Sequence, residues 1–249
     1  MKRSLAISTL LFILIGSCST PTYRIDGYQI HGIDISHHQN HINWDTIAAG
    51  NQKVHFAFIK ATEGAQHIDS LFCKNWAEVN RVGIQRGAYH FFRPSILPEL
   101  QARNFLNWVE MNQHDLPPVL DVEVLDGVSP AKLVHYMRRW LYVVEAHFQK
   151  KPIIYTNLNF YNDYLAGHFQ EYPIWIARYS YQKPELGDNQ PWQFWQYGNN
   201  GSLPGIKGAV DFNVFHGTKD EFELFCKPRV STYSQHNSSV TTSFPLAYF

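Results

Sequence analysis

The 249-residue chain is predicted to be an α/β protein of one domain, an irregular TIM-like barrel that loses its helices in the final third. Two observations carry this. Eight short apolar runs recur between residues 31 and 213, and helix-period patterns fill the early gaps between them but not the last two. A third observation argues against the alternative, an open doubly wound sheet: the chain contains no GxGxxG or GxxxxGK phosphate loop.

The elements follow in order. Lys2 and Arg3 precede an apolar run from Leu5 to Ile15, too short to span a bilayer, and Gly16-Ser17-Cys18 closes it. Residues 1–17 are therefore expected to be an export signal. Ile15-Gly16-Ser17-Cys18 resembles the lipobox of bacterial lipoproteins, which makes Cys18 the lipidated first residue of the mature chain; an ordinary secretory signal cut nearby is the alternative. Residues 18–30 read as a tether. The strand candidates are HGIDIS at 31, HFAFIK at 55, GAYHFF at 87, PPVLDV at 117, PIIYT at 152, PIWIA at 173, WQFWQY at 192 and GAVDFN at 208. Helical spacing covers Asp69 to Val82, Leu97 to Met111 and Ser129 to Lys150, the last with Ser129 as N-cap and Pro130 at the first helical position. Shorter helices are expected after Trp44 and after Leu158. The gaps Arg178 to Pro191 and Gly198 to Lys207 are rich in Gly, Pro and Asn, so their strands are expected to be antiparallel or loop-connected. Barrel residues thus run from 31 to 226, and the Ser/Thr-rich segment 227–249, without periodicity, is expected to be a disordered tail.

Composition excludes some functions. With 21 Lys+Arg against 21 Asp+Glu there is no basic field, so nucleic acid is not an expected partner. Seven Trp, 14 Tyr and 17 Phe supply a core and also ring faces of the kind that stack on sugars. Cys73 and Cys226 allow a disulfide in an oxidising compartment, or two buried free thiols, since Cys73 is read on an apolar helix face. No C-x-x-C pair occurs, and His37, His38 and His41 cluster without a paired ligand set, so no metal and no cofactor are expected.

Chemistry concentrates in Pro117 to Val124, PPVLDVEV. Asp121 and Glu123 stand two apart on a strand, hence on one face and roughly 6 to 7 Å apart. Two acids pointing the same way repel, so one holds its proton near neutral pH while the other stays ionised, as glycosidic cleavage requires. Asp34 in HGIDIS and Asp211 in AVDFN fall at corresponding strand ends, so three strands deliver acids to one barrel mouth.

These residues carry a resemblance. GIDISHHQ at 32–39, FIKATEG at 58–64, GAYHFF at 87–92, LDVE at 120–123, WQY at 195–197 and VDFN at 210–213 fall, in order, as in glycoside hydrolase family 25, the lysozymes (muramidases) of the Chalaropsis type. The resemblance implies a (β/α)5(β)3 barrel and cleavage of the β-1,4 bond between N-acetylmuramic acid and N-acetylglucosamine in peptidoglycan glycan strands. It also implies Glu123 as general acid, its proton held on by Asp121, and Asp121 as the carboxylate that orients the substrate's 2-acetamido group as internal nucleophile. Asp34 and Asp211 would shape charge and hydrogen bonding. Tyr89, Tyr155, Trp195, Gln196 and Tyr197 are the candidate sugar contacts, Trp175 is a platform or core, and Lys60 with Glu63 reads as an ion pair at a strand end. A lipid on Cys18 would tether this monomer to a membrane, facing the periplasm or the cell surface. The competing readings are a non-catalytic peptidoglycan-binding barrel, which gains nothing from clustered like charges, and a metal-dependent polysaccharide deacetylase, for which the chain lacks a spaced His pair near the acids.

Overall fold

The structure, a computed structural model, describes residues 24–227. The signal segment 1–17, Cys18, tether residues 18–23 and tail residues 228–249 lie outside the described residues. In chain order the elements are β1 (Ile30–Ile35), α1 (Trp44–Ala49), β2 (Phe56–Glu63), β3 (His67–Ile68), α2 (Phe72–Arg81), β4 (Gln85–Phe91), α3 (Pro98–Trp108) and β5 (Val119–Asp121). There follow α4 (Pro130–Phe148), β6 (Ile153–Asn157), α5 (Leu158–Phe160, running into a π turn at Tyr161–Leu165), β7 (Ile174–Ala177), β8 (Phe194–Gly201), β9 (Val210–Phe215) and α6 (Lys219–Cys226). Hydrogen bonding runs β1-β9-β8-β7-β6-β5-β4-β2, and pairing of β1 with β2 closes the ring; β3 is a two-residue hairpin on β2. Five β/α units are followed by three strands joined by loops, so the mixed α/β single domain is a closed eight-stranded barrel.

Alternation along the strands sorts side chains into two cores. Ile30, Phe56, Phe58, Val119, Ile153, Tyr155, Trp175, Phe194 and Phe215 fill the barrel. Opposite-parity residues such as Ile33, Ala57, Ile59, Leu120, Ile154 and Ile176 meet the helices outside. The inner layer is aromatic because glycines make room for it: a Cβ on Gly32 would lie 2.4 Å from the Phe56 ring, and one on Gly87 2.6 Å from Phe58. On α4, Leu133, Met137, Trp140, Leu141 and Val144 form the buried stripe. Ser129 Oγ accepts from Lys132 N at 3.3 Å, and left-handed Gln149 (φ 54°) ends the helix. α6 closes the barrel floor, with Phe222 against Phe215 and Phe56 at centroid distances of 5.2 and 5.7 Å. A buried Phe of this kind contributes about 2 kcal/mol through burial.

The strands of the last third are loop-connected, as expected, and the structure adds to the reading in three further places. β8 pairs antiparallel with β9, and β9 with β1, but β7 and β8 are parallel although no helix joins them. Residues 178–193 make that crossover as a loop, organised by Asp188, which accepts from Tyr161 Oη at 2.9 Å and from Gly167 N at 2.7 Å. α6 had not been read from the sequence, although Thr218-x-x-Glu221 is a capping box that signals its start. Cys73 is exposed, because the buried face of α2 is Phe72, Asn75, Trp76 and Val79; Cys226 is buried in the floor and both thiols are free. Within the segment read as tether, Ile25 and Tyr28 pack on the outer core, Tyr28 6.1 Å from Trp195, so the folded domain starts before residue 31.

Candidate active site

β1 and β9 run antiparallel with Asp34 directly opposite Asp211, placing both carboxyls at one rim of the barrel. β5 pairs in parallel with β4 and β6, matching Asp121 with Phe91 and Tyr155 at that rim. Beyond Asp121 the chain stays extended, since Phe92 N donates to Asp121 O at 2.8 Å and Val122 N to Tyr155 O at 2.9 Å. Val122 therefore points into the outer core while Asp121 and Glu123 point the other way. All four carboxyls line one cleft of about 220 Å³ with Tyr89, Tyr155, Trp175, Tyr179 and Gln196, plus Ser36, His38 and Gln39 from the turn after β1. A larger, more apolar hollow of about 710 Å³ lies between α6 and the start of the strands, around Pro117, Lys151 and Pro173; none of the four carboxyls lines it.

Burial raises the proton affinity of all four acids, and their neighbours then differentiate them. Asp34 is raised by burial but held back by hydrogen bonds from Asn213, Gln196 and Asp211. Its Oδ2 accepts from Gln196 Nε2 at 2.8 Å and from Asn213 Nδ2 at 2.7 Å. Asp211 is pushed up to about 9, first by burial, then by the Asp34 charge and by donating a hydrogen bond to Asp34. Asp121 lies well above the ordinary carboxyl range through burial and then the Glu123 charge. Asp121 Oδ1 is buried and receives no bond from an N–H or hydroxyl among the described residues, and the carboxyl that bears on Asp121 is that of Glu123. Glu123 is raised by burial first and by the Asp34 charge second, whereas its hydrogen bond with Asp121 works the other way. The Asp34 charge thus adds to the repulsion between Asp121 and Glu123. The four carboxyls act in pairs, the charge of Asp34 raising Asp211 and that of Glu123 raising Asp121.

Of the predicted sugar contacts, Tyr89, Tyr155 and Gln196 line the cleft. Trp195 and Tyr197 do not: they flank Gln196 on β8 with opposite parity and are buried in the outer core, Trp195 Nε1 donating to Arg178 O at 2.8 Å. Trp175 lines the cleft but is only 1% exposed, stacked on Phe58 at 4.3 Å. Lys60 and Glu63 form the expected ion pair at 2.7 Å, and Glu63 also takes Arg93 at 2.5 Å. A bulge between Lys60 and Thr62 resets the pairing there. Sequence reading missed Asn213, which shares the parity of Asp211 and could have been found by it. It also missed Tyr179, which sits in an aperiodic loop and carries no such signal. Among the described residues no set of three His, Cys, Asp or Glu is arranged to hold a metal.

Comparison with known proteins places this geometry. The model of the family described as glycosyl hydrolases family 25 matches residues 33–206. The uncharacterized protein YegX of Escherichia coli (strain K12) is 45% identical over 201 residues, 80% of this chain and 74% of its own. Lysozyme M1 of Streptomyces globisporus is 33% identical over 208 residues, covering 76% of this chain and 68% of its own. The solved structure of a family 25 glycosyl hydrolase from Bacillus anthracis superposes with a TM-score of 0.77 at 35% identity, over 84% of this chain and 99% of that one.

Proposed function

The chain belongs to glycosyl hydrolase family 25, and from that membership we propose that it is a peptidoglycan hydrolase, a lysozyme cutting the β-1,4 bond between N-acetylmuramic acid and N-acetylglucosamine. The observation that carries the reading is the cleft that gathers four carboxyls at the end of the barrel, Asp34 and Asp121 buried and Glu123 and Asp211 half-buried, where burial and mutual repulsion raise their proton affinity. A glycosidic oxygen must be protonated as its bond breaks, so a carboxyl still protonated near neutral pH has to face it. Glu123, the less buried member of its pair and raised by the Asp34 charge, takes that role.

Asp121 acts on the other partner of the reaction. A substrate acetamido N–H arriving at Asp121 stabilises its anion, and the proton held there passes along the hydrogen bond to Glu123. The acid is thereby charged only when substrate is seated. The acetamido oxygen, oriented by Asp121, closes on the anomeric carbon as the leaving oxygen takes the proton from Glu123; Glu123 then draws a proton from the water that opens the cyclic intermediate. Tyr89 and Tyr155 line the cleft beside the sugar, and Asp211 backs Asp34. The signal at 1–17 and Cys18 complete the reading as an exported, lipid-anchored protein. Among the described residues no helix is long and apolar enough to cross a membrane.

The test is to incubate the purified protein with peptidoglycan, reduce the products with borohydride and identify them by mass spectrometry, with Glu123→Gln in parallel. Muramitol ends are expected from the wild type, and a rate lower by about 100-fold or more from the variant, the usual weight of general acid catalysis. Equal cutting by both proteins removes Glu123 from the acid role, and normal turnover of de-N-acetylated glycan removes the acetamido step.

A further inference from the structure

We propose that Gln196 and Asn213 are positioning residues whose side-chain amides form a two-donor clamp on Asp34 Oδ2, holding Asp34 as the fixed anion of the cleft. The inference rests on the lysozyme reading and names the device that sets the charge of that site.

The orientation of the Asn213 amide is dictated from behind. The indole of Trp175 can only donate, and its Nε1 lies 2.8 Å from Asn213 Oδ1, so the NH2 of Asn213 must face Asp34 at 2.7 Å. Gln196 donates from its NH2 to Asp34 at 2.8 Å, and its Oε1 accepts from Tyr155 Oη at 2.8 Å and Tyr179 Oη at 3.0 Å. Asn213 and Gln196 are fully buried, so neither amide can trade its partner for water. Trp175 is pinned in turn by its stack on Phe58 and by Tyr155 at 4.3 Å. The clamp therefore starts in the barrel's aromatic core and ends on one oxygen.

That oxygen takes two N–H donors, which favour the Asp34 anion over its protonated form. Any proton between Asp34 and Asp211 is pushed to the Asp211 side, in agreement with the high proton affinity of Asp211. The groups around Asp34 in the cleft are Asp211 from β9, Asp121 at the end of β5 and Glu123 just beyond it, the Tyr89 and Tyr155 hydroxyls from β4 and β6, Tyr179 from the loop after β7, and His38 from the turn after β1; Lys60 on β2 bears on the Asp121–Glu123 pair. An anion fixed there disfavours ionisation of Glu123 and favours the positive charge that develops on the sugar. Gln196 and Asn213 touch neither event directly; they act through Asp34.

The experiment measures kcat and KM against pH on soluble peptidoglycan fragments for wild type, Asn213→Ala and Trp175→Phe, with Glu123→Gln as the reference for loss of the acid. Trp175→Phe removes the N–H behind Asn213 while keeping an aromatic ring on Phe58, so it reports even if Asn213→Ala does not fold. Loss of a donor makes Asp34 easier to protonate and Glu123 easier to ionise. In Asn213→Ala the acid limb of kcat/KM is expected to rise by about one pH unit, a tenfold change in proton affinity. The alkaline limb should fall, kcat at the optimum should drop about tenfold, and KM should stay within about twofold. Trp175→Phe should move both limbs the same way by less. Limbs that stay at their wild-type positions in both variants, with Glu123→Gln inactive, overturn the clamp and leave the lysozyme reading standing. An active Glu123→Gln overturns the acid assignment and the clamp with it.

Discussion

Asp211 offers a direct thermodynamic reading of the acid cleft through Asp211→Asn. The folded carboxyl titrates at about 9 against 3.8 for the free group, so between those values the native state holds a proton that the unfolded chain has released. Stability then falls as pH rises, because its slope follows protons bound in the unfolded state minus those bound in the native state, here close to −1. The contribution is complete below about pH 3.8, declines across the window, and is gone above about 9. Over the three units from pH 5 to pH 8, at about 1.4 kcal/mol per unit, one proton is worth about 4 kcal/mol. Asparagine keeps the shape and an N–H for Asp34 but has no proton to lose. Urea unfolding at pH 5 and pH 8 should therefore show the wild type losing about 4 kcal/mol more than Asp211→Asn between the two. Parallel losses, within about 1 kcal/mol, would refute the argument that Asp211 enters the fold protonated and donates to Asp34.

Two further outcomes test the geometry around the cleft. Trp195→Phe should leave KM within about twofold in peptidoglycan turnover assays, because its ring packs outside the barrel; the loss should appear as about 1 to 3 kcal/mol in urea unfolding, from the bond to Arg178 O and the ring volume removed from the outer core. Gly32→Ala puts a methyl 2.4 Å from the Phe56 ring in a filled barrel, and thermal unfolding should show destabilisation of about 1 to 3 kcal/mol or more, whereas a neutral result would mean the inner core is not packed as described.

Local signals carried much of this protein. The strand runs, the Ser129-Pro130 start of α4 and the loss of helices after β7 are consequences of side-chain period and capping chemistry, which act within a few residues and can be read there. The acids were legible for the same reason: alternation alone puts Asp121 and Glu123 on one face, and strand-end position brings Asp34 and Asp211 to them. What sequence could not supply was parity relative to the closed barrel and the identity of neighbours across strands. Trp195 and Tyr197 look like sugar platforms until closure turns Gln196 inward and them outward. The direction of the parallel crossover from β7 to β8, the α6 plug and the inward packing of Tyr28 depend on contacts between residues far apart in the chain. The protonation pattern is the clearest case. Whether Asp34 or Asp211 carries the proton is decided by Asn213 and Gln196, which stand 179 and 162 residues from Asp34, and by burial that exists only once eight strands have closed.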